Sequence, residues 1–155
     1  MALEYVEAVS PSLKSKIELF RKSKSLFEYY QIDYRLARDL AHKIWLKCGG
    51  YIIIDKTEAL TVIDVNTGKY IGADNLEDTV VKTNLEAAVE IARQIRLRNI
   101  GGIIIIDFID MKDEEHKKKV IAALKDALKK DRAKTTVVGM TGLGLIEMTR
   151  KKVGD

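Results

Sequence analysis

From Tyr51 onward the chain switches between two hydrophobic periods. YIIID and ALTVIDV are β-branched runs joined by KTE, which predicts a hairpin of two strands. A loop rich in Gly, Asn and Asp follows (NTGKYIGADNLED). Leu85, Ala88, Ala92 and Ile95 then recur at spacings of three and four, the apolar stripe of a helix. Thr83, with Glu86 three residues on, predicts the start of that helix as a capping box. Gly101-Gly102 ends it and opens GGIIIID, whose four consecutive isoleucines predict a buried strand. A second helix is expected from Asp113, with Glu114 and Glu115 at the positive end of its dipole. Its inward face is Val120, Ala123, Leu124, Ala127 and Leu128. TTVVGM and GLIEMT complete the pattern as two more strands. The order strand, strand, helix, strand, helix, strand, strand predicts an α/β or α+β layered domain, a mixed sheet with packed helices. The path from the second strand to the isoleucine strand suits a right-handed crossover.

The segment before Gly49-Gly50 has a different texture. In KIELFRKSKSLFEYYQIDYRLARDLAHKIWL aromatic and charged residues alternate. A short strand is expected at Lys16–Arg21, with helices at Ser25–Tyr30 and Asp33–Lys43. Residues 1–48 therefore read as a small lobe, and 49–155 as the main domain, with the two glycines as punctuation.

Composition narrows the class. The chain has 155 residues, 46% hydrophobic and 32% charged, which suits a globular protein with a real core. No apolar run approaches the roughly 20 residues of a membrane span, and no secretory signal pattern opens the chain. Cys48 is the single cysteine, so an internal disulfide or a multi-cysteine zinc site within the chain is excluded. It reads as a partly buried bystander thiol, and these features together point to the cytosol. The net charge of +4 permits a polyanionic partner without requiring one. The excess is uneven: Arg132, Lys134, Arg150, Lys151 and Lys152 face only Glu147 and Asp155 toward the end of the chain. That tail reads equally as phosphate-contacting and as a solvated terminus.

Two carboxylates carry the candidate chemistry. Asp64 ends TVID as Asp107 ends IIIID, each at the C-terminal tip of a strand. Ligands of sheets with crossover helices gather at those tips. If the two strands are parallel neighbours, the acids lie close together and repel unless one is protonated or a cation bridges them. Mg²⁺ suits such a site, because it takes carboxylate oxygens and water and leaves positions for substrate phosphate. Asn66 would point to the same face and orient an acid or a phosphate oxygen. The alternative is that both aspartates simply cap turns. Asp110 reads as a helix-approach cap or an outer neighbour of the pair.

Other constellations carry less. His116 lies on a charged helix start, and His42 has no visible partner. GMTGLGL lacks the lysine and the spacing of a phosphate loop. Arg93, Arg96 and Arg98 sit near a helix C-terminus, where cations suit the dipole anyway. That end feeds the strand of Asp107 at its far end, so these arginines lie away from the acid.

GGYIIIDKTEALTVIDVNTG, KTNLEAAVEIARQIRLRNIGGIIIIDFIDM and KDRAKTTVVGMTGLGLIEMTRKK closely resemble the catalytic region of the ribonuclease E/G family, from about Gly49 to Lys152. The resemblance implies a deoxyribonuclease I-like subdomain there, preceded by the end of a ribonuclease H-like subdomain. It implies Mg²⁺-dependent endonucleolytic hydrolysis of single-stranded RNA in RNA processing and decay. A metal-activated water would attack the phosphodiester and leave a 5′-phosphate. By motif, Asp64 and Asp107 match the family's metal ligands and Asn66 its catalytic asparagine. Arg96, Arg98, Lys112, Arg150 and Lys151 become candidate RNA contacts. The family's preceding oligonucleotide-binding domain, and the paired-cysteine zinc link that joins protomers after TRKK, fall outside these residues. The expectation is a piece of a longer, homo-oligomeric enzyme, without the zinc link. A non-catalytic RNA-binding or assembly role stays open.

Overall fold

The structure is a computed structural model that describes residues 1–68 and 76–154. It divides into two compact units, Met1–Ala37 and Arg38–Asp155. The boundary falls before the glycine pair, so residues 38–48 join the sheet-bearing unit.

The first unit holds α1 (Ala2–Val9), a 3-10 turn (Pro11–Lys16), α2 (Leu26–Tyr29) and the first part of α3 (Ile32–Asp39). Ser25 starts α2 with a reciprocal capping box: its hydroxyl accepts from the Glu28 amide, and the Glu28 carboxylate accepts from the Ser25 amide. Tyr29 meets Phe20 and Tyr30 edge to face at 5.4 and 5.1 Å between centroids, and Phe20 and Tyr30 lie tilted at 6.4 Å. The expected strand at Lys16–Arg21 does not form: Lys16 closes the 3-10 turn, and 17–21 has no regular structure. Alternating charge and aromatic character marks a strand only where a neighbour supplies a ladder. α3 also stops at Asp39, earlier than expected, because Lys43 is already in a strand.

The second unit contains β1 (Lys43–Trp45), β2 (Tyr51–Lys56), β3 (Leu60–Asn66), α4 (Leu76–Leu97), β4 (Gly102–Asp107), α5 (Glu114–Leu128), β5 (Thr135–Met140) and β6 (Ile146–Arg150). The strands form one mixed sheet in the order β1-β2-β3-β4-β6-β5. The expected β2–β3 hairpin is present, and Thr57 closes it through bonds from backbone and hydroxyl to Leu60. β3 and β4 are parallel, and every other pair is antiparallel. A parallel pair needs a long connection, and α4 lies within it.

Both long helices cover one face of the sheet. Ile52, Ile63, Ile104, Ile106, Ile146 and Met148 are fully buried there against Ala87, Ala88, Ile91 and Ile95 of α4 and Val120 and Leu124 of α5. Each such isoleucine contributes about 1.5–3 kcal/mol relative to exposure. The four isoleucines of β4 are not equally buried, however: Ile103 is 49% exposed while Ile104 and Ile106 are sealed. With α4 and α5 on one face, alternate residues of β3 and β4 look to the opposite side.

The capping box expected at Thr83 is absent. α4 begins at Leu76, and Thr83 lies inside it, its hydroxyl donating to the Thr79 carbonyl. Glu86 instead accepts from the Cys48 amide at 3.0 Å, and so ties the β1–β2 connection to the helix. Of the loop expected over NTGKYIGADNLED, 69–75 lies outside the described residues, while Leu76, Glu77 and Asp78 are helical. α5 starts as expected, with the Asp113 side chain accepting from the Glu115 amide.

Candidate active site

The β3–β4 ladder runs Leu60↔Ile103, Thr61↔Ile104, Val62↔Ile105, Ile63↔Ile106 and Asp64↔Asp107. The two aspartates are therefore direct partners, on strands roughly 4.8 Å apart, and both face the side opposite α4 and α5. Asp64 is half-buried, and Asp107 is exposed rather than buried as the isoleucine run suggested. Asn66, two residues on along the same face, donates from Nδ2 to the Asp64 carboxylate at 3.1 Å. Partial loss of hydration, then the Asp64 charge, then that of Asp110, raise the Asp107 carboxyl above its ordinary pKa. Asp64, Asn66, Thr67, Asp107 and Asp110 line an open depression of roughly 280 Å³.

The donor set is hard: two carboxylates, with an amide beside them and room for water. Such oxygens fit Mg²⁺, and the repulsion that raises Asp107 is what a cation would relieve. Among the described residues, no group of three or more His, Cys, Asp or Glu side chains is gathered tightly enough to hold a metal alone. A metal here would depend on water and substrate oxygens for its other positions.

Two supports of this site were not visible in the sequence. Asn84 is 0% exposed inside α4, and its amide makes a two-way clamp on Ile109: Nδ2 donates to the carbonyl at 2.8 Å and Oδ1 accepts from the amide at 3.0 Å. This fixes the chain just beyond Asp107. The available signal was an asparagine inside an otherwise strong helix pattern, where its propensity is poor. The second support is an absence of side chains. A Cβ on Gly50 would stand 2.7 Å from both the Asn66 carbonyl oxygen and Thr83 Cγ2. Gly68 has φ +67, and a Cβ there would stand 2.5 Å from the Gly49 carbonyl oxygen. Gly50 and Gly68 thus let the backbone at 66–68 close up against 49–50.

The candidate RNA contacts separate to the two ends of the sheet. Lys112, exposed, lies between β4 and α5 at the Asp107 end, its amide bonded to Glu77. The others lie at the far end of β4, roughly 17 Å away along the strand. Arg96 is exposed and reaches the Lys130 carbonyl, and Lys151 pairs its amide with Lys134. Arg98 is occupied: it donates to the Asp39 and Ala41 carbonyls and to Gln94, and desolvation lowers its pKa. Arg150 is a correction. It is 4% exposed and its guanidinium is spent on Asp131, on Asn99 and on the Ile100 carbonyl, so it has no donor turned toward a strand of RNA. His42, partnerless in the sequence, sits 3.4 Å from Asp55. His116 sits 3.1 Å from Glu77.

The in-register acid pair at the parallel strand junction, with Asn66 beside it, is the candidate site. Residues 1–153 match the Ribonuclease E/G family, and the chain belongs to that family. It is 50% identical to Ribonuclease G of Escherichia coli (strain K12) over 153 residues, 99% of this chain and 31% of that protein. It is 48% identical to Ribonuclease G of Haemophilus influenzae over 152 residues, 98% of this chain and 31% of that protein. Ribonuclease E of Synechocystis is 46% identical over 139 residues, 90% of this chain and 21% of that protein. The chain thus spans less than a third of the length of these relatives. No helix among the described residues is long and apolar enough to cross a membrane.

Proposed function

We propose that this chain carries the hydrolytic site of a Mg²⁺-dependent endoribonuclease that cuts single-stranded RNA and leaves a 5′-phosphate. The observation that carries the reading is the register of Asp64 and Asp107, with Asn66 bonded to the first of them. Family membership supports it, since the matched relatives are named ribonucleases. Asp64 and Asp107 would hold the cation. When bound, Mg²⁺ would lower the pKa of a coordinated water and offset charge on the phosphate. The chain's own residues do the positioning. Asn66 holds the Asp64 carboxylate in one orientation, and the Asn84 clamp holds the backbone after Asp107. The open side of the sheet gives an extended strand room to approach, and Lys112 offers a cation for a neighbouring phosphate. In this reading residues 49–155 are the deoxyribonuclease I-like subdomain.

The test is cleavage of a fluorescent, 5′-monophosphorylated single-stranded RNA, with and without Mg²⁺. The unaltered chain is compared with Asp64→Asn and Asp107→Asn. Cutting that needs Mg²⁺ and is lost in both variants is expected. Equal cutting by all three would overturn the two-aspartate mechanism.

A further inference from the structure

Beside the acid pair, the side of the sheet opposite α4 and α5 carries a second constellation. The ladders place Trp45 opposite Tyr51, and Tyr51 opposite Asn66. Directly opposed residues on adjacent strands share a face, so this row ends on the asparagine that is bonded to Asp64. The neighbouring row runs Lys43, Ile53, Asp64, Asp107. Trp45 and Tyr51 meet edge to face with centroids 5.2 Å apart. The Lys43 ammonium rests 4.2 Å from the Trp45 ring centre and 3.9 Å from that of Tyr51. Trp45 is nonetheless 63% exposed, an unusual state for an indole that no core requires. Trp45, Tyr51, Asn66, Thr67 and Gly68 line an open groove of roughly 740 Å³.

We infer that Lys43, Trp45 and Tyr51 form a nucleobase-stacking subsite for the RNA strand, one that continues directly into the two-aspartate site. The inference rests on the proposed reading of that site as one that acts on RNA. An exposed aromatic face beside a cation is the combination single-strand binders use: the ring stacks a base, and the cation meets the adjoining phosphate. The position fits the role. β1 is the edge strand of the sheet, so a strand of RNA can cross the edge without obstruction from a further ladder. Trp45 lies two strands, roughly 10 Å, from β3, within reach of a nucleotide close to the reacting phosphate. Every base has a π-face, so the subsite selects unpaired bases without reading their identity. A base locked in a duplex stack cannot use it.

Trp45 is the only tryptophan in the chain, so its emission reports on the subsite alone. A single-stranded RNA of eight A and U residues is titrated into the chain in EDTA, where no Mg²⁺-dependent cutting occurs. A 5′-labelled copy is followed separately by anisotropy. Saturable quenching of the indole is expected, with little from an abasic phosphate strand of the same length and little from the RNA as a duplex. Trp45→Ala is expected to weaken binding by roughly tenfold, and Trp45→Phe to keep most of it. Equal quenching by the abasic strand would overturn the subsite. So would binding with no change in emission, as expected of a face that docks another protein, and so would no binding at all. The readout uses neither metal nor turnover, so its failure leaves the cleavage test of Asp64 and Asp107 standing, and the reverse holds too.

Discussion

Asn84 in α4 and Ile109 beyond β4 exchange two hydrogen bonds through one buried amide. Helix and strand-end loop are thereby locked at the point where Asp107 leaves the sheet. Asn84→Ala removes both bonds and leaves the partly buried Ile109 amide and carbonyl without their partner, a loss of about 1–3 kcal/mol for each group stranded. The melting temperature should fall by several degrees. Cleavage should fall further than the lost folded fraction accounts for. Thermal melts and rates measured on the same preparation separate the two effects.

The acid pair should behave in the opposite sense. Asp107 is raised in part by the Asp64 charge, so Asp107→Asn removes a repulsion. The variant should melt no lower than the parent while losing Mg²⁺-dependent cutting. Mg²⁺ should raise the melting temperature of the parent alone, because only the parent gains stability from a ligand of the native state.

Asp131 and Arg150 form a pair at 2.7 Å, with each side chain 2% exposed. The Arg150 hydrogen bond is the largest cause holding the Asp131 carboxyl below its ordinary value. A depressed acid stabilises the fold fully above its unfolded pKa, roughly 3.9. That stability is lost as pH falls through the lower folded value. Asp131→Asn should therefore destabilise by about 3 kcal/mol at pH 7, as breaking a buried pair does. The gap between parent and variant should narrow below roughly pH 4. Urea melts at pH 7 and pH 3 give the comparison.

Gly50→Ala introduces a methyl 2.7 Å from the Asn66 carbonyl oxygen. The backbone must separate there, at a cost of about 1–3 kcal/mol, and Asn66 should shift relative to Asp64. Activity should drop more than in Gly142→Ala, where a Cβ meets nothing within 4 Å. Paired rate and melting measurements on these two variants decide it.

The basic residues should divide by position. Lys112→Ala should weaken RNA binding and reduce its salt slope by roughly one, whereas Lys151→Ala, at the other end of β4, should change neither. Anisotropy titrations at several salt concentrations would show the contrast, and equal effects would contradict the placement.

What could be seen in the sequence was local. The β2–β3 hairpin, β4, α5, β5 and β6 each announce themselves by the period of their own side chains, and the acids by ending two such runs. What could not be seen depends on partners far along the chain. Glu86 looks like half of a capping box, but its partner is the Cys48 amide, 38 positions back. Arg150 looks like part of a basic tail until Asp131 is brought beneath it by β5 and β6. Trp45 looks like one more aromatic of the first lobe, yet the antiparallel pairing of β1 carries it to the site.

β3 and β4 share no turn, so the spacing of Asp64 and Asp107 is conveyed only by the ladder beneath them. Slippage of that one ladder by a single residue would turn the Asp107 carboxylate to the opposite side of the sheet, among the helices. The matched isoleucines Ile63 and Ile106 forbid it, because the same slip would push a buried side chain into water. The hydrophobic pairing of these two strands therefore acts as a proofreader of the site: a chain that folds with the acids misaligned also folds with its core exposed.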